Sequence, residues 1–317
     1  MSIPEISVVV PVYKGARSLA ELHRRVSDSV QTISPNFELI LVEDCGGDDS
    51  WNLIQQLSQS DQRVRGLLLA RNFGQHPAIT AGLDVARGNW VIVMDCDLQD
   101  RPEEIPRLYR KAQEGFDVVV ARRQMRKDGW LKRATSRAFY RVFSWLAGIP
   151  LDEEVGNFRI ISRKVADGFR SMRESTRFFG GMVAWMGFPT AAIDVQHAAR
   201  SEGKSTYTYR KLMALALNII VAYSDRPLWL SVRLGFTVSV LSMFGGVWVV
   251  YRALRHGIPI MGWASLMVSL YFLGGVIISL LGIIGIYLAK VFDGVKARPI
   301  YIVAERSGLT AAPLPTE

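Results

Sequence analysis

The residues best suited to chemistry lie in Trp90–Pro102, WVIVMDCDLQDRP. An apolar run, Trp90 to Met94, ends abruptly in Asp95, Cys96, Asp97, Leu98, Gln99 and Asp100. A short β-rich run bounded by polar residues reads as a buried strand. If the chain stays extended beyond it, Asp95, Asp97 and Gln99 share one face, because strand side chains alternate. Two carboxylates and an amide oxygen suit a hard divalent cation, Mg²⁺ or Mn²⁺, completed by a substrate's phosphates. For an isolated D-x-D a solvated acidic turn is the better reading, so the elements around it have to decide.

Those elements alternate. Ile6–Val12 reads as a strand, followed by helical spacing over Ser18–Ile33. Phe37–Val42 is a second strand, ending in the acidic, Gly-rich turn Glu43–Ser50, where Asp49 or Ser50 would cap a helix. Val64–Ala70 is the third strand, with Arg71-Asn72-Phe73-Gly74-Gln75 as its exit and His76–Ala86 as the next helix. Trp90–Met94, a helix over Pro102–Glu114 and a strand over Asp117–Ala121 continue the pattern. Such alternation implies βαβ units and a mainly parallel α/β sheet. Ligands of these sheets bind beyond the carboxyl ends of the strands. Tyr13, Asp44, Arg71, Asp95 with Asp97, and Arg122 with Arg123 all fall at such ends. No GxGxxG follows the first strand, and no GxxxxGK[ST] occurs, so NAD-type and P-loop sites are disfavoured.

Further on, Asp152–Arg163 reads as a compact polar knot around Gly156-Asn157-Phe158-Arg159, Arg177–Phe188 as helical, and Thr190–His197 as a strand. Gly129–Ala147 has the pattern of a basic amphipathic helix, suited either to an anionic membrane surface or to packing on the sheet. Arg200–Tyr207 is a basic loop whose arginine and lysine suit phosphate, and an ordinary solvated loop accounts for it equally well.

Composition points the same way. The 317 residues carry 38 Lys+Arg against 29 Asp+Glu, a net charge of +9, which favours an anionic partner. Two cysteines without a CxxC and four histidines argue against zinc and for a reducing compartment. The N-terminus has no basic n-region, so a signal peptide is not expected. Leu234–Tyr251 is uncharged, and so is Gly257–Ala289. Both are long enough to span a bilayer core, which takes about 20 apolar residues. With basic residues before the first span and after the second, both ends belong in the cytoplasm. Residues 1–203 would be the catalytic domain, 204–228 a juxtamembrane helix, 229–290 two spans (about 232–253 and 264–289) and 291–317 a tail in which Arg298–Val303 adds an edge strand.

Taken in order, Val10-Pro11-Val12-Tyr13, Glu43-Asp44, Arg71–Gly74, Asp95–Asp100, Asn157-Phe158-Arg159, the two spans and Arg298-Pro299-Ile300-Tyr301 resemble family 2 glycosyltransferases acting on polyisoprenyl phosphates. The likeness covers nearly the whole chain. It implies a GT-A fold, a UDP- or GDP-linked sugar donor, a polyisoprenyl phosphate acceptor, a membrane location, Mg²⁺ or Mn²⁺, a homo-oligomer and no nucleic acid. By this resemblance Pro11, Tyr13 and Asp44 hold base and ribose, and Arg71 and Asp95 support the sugar nucleotide. Asp97 and Gln99, with Asp95, hold the metal. Arg122, Arg159, Arg200 and Ser205 handle phosphates, with Asn157 and Lys204 beside the acceptor. Asn157 stands where many bacterial glucosyltransferases have an Asp, a candidate base. Two other readings stay open: a noncatalytic nucleotide-sugar-binding membrane subunit, and a polysaccharide synthase, although the QxxRW of such synthases is absent.

Overall fold

A computed structural model describes residues 3–123, 145–146, 155–174, 177–196, 224–256 and 262–308. The chain divides into two compact units. One takes in residues 1–141, 149–208 and 298–317; the other takes in 142–148 and 209–297.

In the first unit the described strands form one sheet. They are β1 (Ile6–Val12), β2 (Phe37–Glu43), β3 (Val64–Leu69), β4 (Trp90–Val93), β5 (Val118–Arg123), β6 (Val155–Ser162), β7 (Thr190–Val195) and β8 (Val303–Ser307). Their order is β7-β5-β6-β4-β1-β2-β3-β8. β1 pairs in parallel with β2 and β4, β2 with β3, and β5 with β7. β6 and β8 run antiparallel to their neighbours. The helices α1 (Leu19–Gln31), α2 (Ser50–Ser60), α3 (Gln75–Val85), α4 (Ile105–Ala112), α5 (Arg163–Ser171) and α6 (Phe179–Trp185) connect and cover the strands. Every residue of β1 and β2 is buried, as expected for central strands covered on both faces. Leu19, Leu22, Val26 and Val30 of α1 join the same core, at the helical spacing seen in the sequence.

The segment around Asn157 is a strand, not the expected polar knot. Running antiparallel between β4 and β5, β6 places its first residues at the carboxyl ends of both: Arg159 lies opposite Val93 and Val120. The antiparallel course of β6 therefore returns Asn157 and Arg159 to the edge where Asp95 sits.

The opposite edge is closed by a buried ionic network. Glu38, 3% exposed at the side chain, accepts from Ser7 Oγ (2.6 Å) and Arg87 N (2.6 Å) and pairs with Arg65 (3.0 Å). Its charge is satisfied from three elements, as a buried carboxylate requires.

The edge strand falls at Val303–Ser307 rather than Arg298–Val303. Tyr301, just before it, donates to the buried Asp84 carboxylate at 2.7 Å, and Arg173 donates to the same group at 2.8 Å. Ala70 N donates to Ile302 O, and Trp51 Nε1 donates to Glu305. Residues that follow the apolar helices thus complete the first unit's sheet.

In the second unit, α7 (Arg226–His256) and α8 (Trp263–Val295) contain stretches long and apolar enough to cross a membrane, Arg226–Trp248 and Phe272–Val295. They expose large apolar side chains such as Phe236 (71%) and Ile278 (72%), which suits contact with lipid.

Tyr301→Phe removes a hydrogen bond to a buried charged group. It should cost about 1.5–3 kcal/mol of stability, read as a lowered denaturation midpoint of the purified full chain; an unchanged midpoint would show that Asp84 is satisfied without it.

Candidate active site

The exit loops of the four central strands are tied into a closed circuit. After β1, Gly15 N donates to Ser50 Oγ (3.1 Å) and Ala16 N donates to Asp48 Oδ2 (3.1 Å), which fastens the first loop to the second. Asp49, at the N-cap of α2, makes no side-chain cap bond. The second loop folds on Glu43, whose carboxylate accepts from Cys45 N and Gly46 N at 2.8 and 2.7 Å. Asp44 reaches the third loop: its two oxygens accept from Phe73 N (2.7 Å) and Gly74 N (2.8 Å). Gln75, the first residue of α3, donates from Nε2 to Asp95 Oδ1 at 2.7 Å and so ties the third loop to the fourth. The fourth returns to the first, where a Cβ on Gly15 would lie 3.3 Å from Cys96 Sγ. A Cβ on Gly46 would lie 2.7 Å from Lys14 N, so the first two loops meet at backbone contact.

Backbone conformation marks the same loops. Lys14 (φ 55°), Cys45 (φ 53°) and Leu98 (φ 60°) occupy the left-handed region, one in each exit loop of β1, β2 and β4. Non-glycine residues in this region cost energy and persist where their surroundings over-determine them.

Leu98 changes one expectation. The chain does not stay extended after Asp95; it turns at Cys96–Asp97, and Gln99 N donates to Asp97 Oδ1 at 3.1 Å. The three oxygen-bearing side chains therefore lie on a turn, and strand alternation does not give them a common face. All three are half-buried. Among the described residues no group of three His, Cys, Asp or Glu could hold a metal. The donor set of two carboxylates and an amide therefore fits a hard cation that takes its remaining ligands from a bound substrate.

Electrostatics differ sharply between residues. Burial raises the Asp44 and Glu43 carboxyls above the usual range, while the backbone N–H donors pull them down. Burial pushes the Cys96 thiol up to about 11. Arg159 is 4% exposed, and burial lowers its guanidinium to about 10. It donates to Gly156 O (2.7 Å) and lies over the Phe179 ring (5.0 Å), and among the described residues its Nε has no partner and no carboxylate pairs with it.

Other expected residues also reach this edge. Pro11 is buried within β1, opposite Val42. Tyr13 is half-exposed, with Lys14 Nζ 5.5 Å from its ring centre, and Arg71 is exposed, stacked on Phe73 at 4.3 Å. Arg122 is half-buried near the end of β5, and Asn157 is half-buried on β6. Arg200, Lys204 and Ser205, and most of Gly129–Ala147, lie outside the described residues. The sequence reading missed Gln75 as the partner of Asp95. Its one signal was position: a polar residue opening the helix directly after a strand-exit loop.

Comparison with known proteins fits this geometry. Residues 7–179 match Glycosyl transferase family 2. The chain belongs to that family. A bactoprenol glucosyl transferase of Shigella phage SfII is 36% identical over 300 residues, covering 94% of this chain and 97% of that protein. An uncharacterized glycosyltransferase of Synechocystis is 36% identical over 311 residues, 98% of each. Among solved structures, a glucosyl-3-phosphoglycerate synthase from Mycobacterium tuberculosis, in complex with Mn²⁺, UDP and phosphoglyceric acid, has a TM-score of 0.51 at 16% identity, over 69% of this chain and 77% of that one. That likeness establishes the GT-A fold for this family 2 glycosyltransferase.

The two thiols should separate chemically. Cys45 is exposed and Cys96 is half-buried with a raised pKa, so N-ethylmaleimide should modify Cys45 faster by about tenfold or more. Mass spectrometry of Cys45→Ser and Cys96→Ser variants checks this; equal rates would mean the Gly15–Cys96 contact opens readily.

Proposed function

We propose that the protein transfers a sugar from a UDP- or GDP-linked donor to a polyisoprenyl phosphate, undecaprenyl phosphate, at the cytoplasmic face of a membrane. The observation that carries this reading is Arg159, a buried cation at the carboxyl edge of the sheet with no carboxylate to balance it among the described residues. Such a charge is costly unless an anion meets it. A lipid monophosphate supplies that anion, and the two apolar helices keep the enzyme beside its lipid. The bactoprenol named for the relatives supports the acceptor class.

In the proposed reaction a phosphate oxygen attacks the anomeric carbon. A carbon–oxygen bond to the lipid phosphate forms, the bond to the donor diphosphate breaks, and the nucleoside diphosphate leaves with the electron pair. In-line attack inverts the anomeric centre. The second pKa of a phosphate monoester is about 6, so the nucleophile is already largely a dianion and no base is needed. Asn157, unable to take a proton, can still donate a hydrogen bond to the acceptor. Pro11, Tyr13 and Asp44 hold base and ribose, with Arg71 at the rim of the site. Each Asp44 oxygen keeps a further acceptor position beyond its backbone bond.

Arg122 and Arg159 bring the two anions together, joined by Arg200, Lys204 and Ser205. Asp95, Asp97 and Gln99 would hold Mg²⁺ or Mn²⁺, which when bound supplies positive charge at the diphosphate. The protein would act as a homo-oligomer with both termini in the cytoplasm. A noncatalytic sugar-nucleotide-binding subunit is the second reading, favoured by Asn157 alone.

A transfer assay decides between them. Purified protein in detergent is mixed with undecaprenyl phosphate, Mn²⁺ or Mg²⁺ and labelled nucleotide sugars, with and without EDTA. Lipid-extractable label that vanishes with EDTA is expected. Asp97→Ala should lose about a hundredfold or more in rate, while Asn157→Ala keeps substantial turnover. The reverse ranking contradicts the assignment of Asn157, and no transfer from any donor favours the noncatalytic subunit.

A further inference from the structure

Among the described residues Arg159 is held in place without an ion pair, and the structure shows what holds it. Its guanidinium lies on the first turn of α6. The Phe179 ring is its platform, and the bare Cα of Gly180 lies against its end: a Cβ there would sit 3.0 Å from the terminal nitrogen Nη2. That turn is short, and its own N–H groups need acceptors from elsewhere. His76, the second residue of α3, provides one. Phe179 N donates to His76 Nδ1 at 3.4 Å, and the Phe178 ring meets the imidazole edge-on at 5.5 Å.

We infer that His76 is a positioning residue for the acceptor phosphate: by accepting from Phe179 N it fixes the first turn of α6, and that turn fixes the guanidinium of Arg159. This rests on the reading of Arg159 as a ligand of that phosphate.

The chemistry of the imidazole is consistent with the task. Accepting at Nδ1 places the proton on Nε2. Burial and the nearby charges of Arg159 and Arg177 hold the His76 pKa down to about 4, so the ring is neutral at physiological pH and Nδ1 keeps its lone pair. A protonated ring would offer a donor to a donor and add a further cation to two buried arginines. The arginines thus keep their own support in its accepting form. The chain of contacts runs from Gln75, which holds Asp95, through its neighbour His76 to α6 and Arg159. One end of α3 therefore serves both the acidic loop and the cationic side of the site.

Steady-state kinetics of the full-length protein in detergent test this, with undecaprenyl phosphate and the nucleotide sugar varied separately. His76→Ala should raise KM for the lipid phosphate by about tenfold, equivalent to about 1.4 kcal/mol, with donor KM and kcat nearly unchanged. His76→Asn puts an acceptor oxygen where Nδ1 was and should restore the wild-type KM. His76→Gln reaches the Nε2 position instead and should behave like the alanine variant. Gly180→Ala, which crowds the guanidinium directly, should shift the same KM without touching His76. If His76→Ala fails to fold, as read by thermal unfolding, the Asn–Gln contrast and Gly180→Ala carry the test.

A Gln variant that works while Asn fails would overturn the inference, because Nε2 and not Nδ1 would then matter. So would wild-type KM in the alanine variant, or a change confined to the donor. Arg159→Gln separates the two levels. If it leaves acceptor KM unchanged, the phosphate reading falls and the inference with it. If it raises acceptor KM while every His76 and Gly180 variant is normal, the inference alone falls.

Discussion

The Asp44 carboxylate is the contact on which the site is built. It is buried at the end of β2, and its two oxygens take the N–H groups of Phe73 and Gly74. A buried carboxylate with good donors is held firmly, and removing either partner leaves a costly unpaired group. This pair fixes where the third loop ends and where α3 begins. Gln75 and His76 follow at once, one reaching Asp95 and the other reaching Phe179. A single interaction thus sets the position of the acidic loop and of the platform beneath Arg159. The other loop contacts, Gly15 with Ser50 and with Cys96, close the ring from the opposite side.

The two edges of the sheet treat buried charge in opposite ways. At the edge where β1 and β2 start, Glu38 is met by a serine, a backbone N–H and two arginines. At the edge where the strands end, Arg159 has an aromatic ring and one carbonyl. Both groups are buried, yet among the described residues only Glu38 meets an opposite charge. Function in parallel sheets belongs to the carboxyl edge because strand ends and helix starts converge there. In this protein the imbalance of charge falls at that same edge. The left-handed residues Lys14, Cys45 and Leu98 are there as well, so backbone strain and uncompensated charge share one place.

Much of this was legible in the sequence. Central strands announce themselves as β-branched runs because both of their faces are buried, and the polar residues that ended those runs proved to face one edge. The two long apolar segments were legible for the same reason: their length and lack of charge leave few alternatives. What the sequence hid depends on distant pairing. Asn157-Phe158-Arg159 looked like a knot because polar and apolar residues mix within a strand that is buried on both sides only after β4 and β5 flank it. The path from Asp95 to Gln99 depends on Leu98 taking a conformation that alternation cannot anticipate. The edge strand slipped toward the C-terminus because Tyr301 is committed to Asp84. Gln75 and His76 carry no pattern beyond their place at the start of a helix; their roles exist only once Asp95 and Phe179 come within reach of them.

The most direct measurement is a cryo-electron microscopy map of the full-length protein in lipid nanodiscs with Mn²⁺, the nucleoside diphosphate and undecaprenyl phosphate. The account predicts density for the lipid's phosphate against the Arg159 guanidinium, and for the cation between the diphosphate and Asp97. A lipid phosphate bound elsewhere, with Arg159 still meeting only Gly156 O and the Phe179 ring, would contradict it.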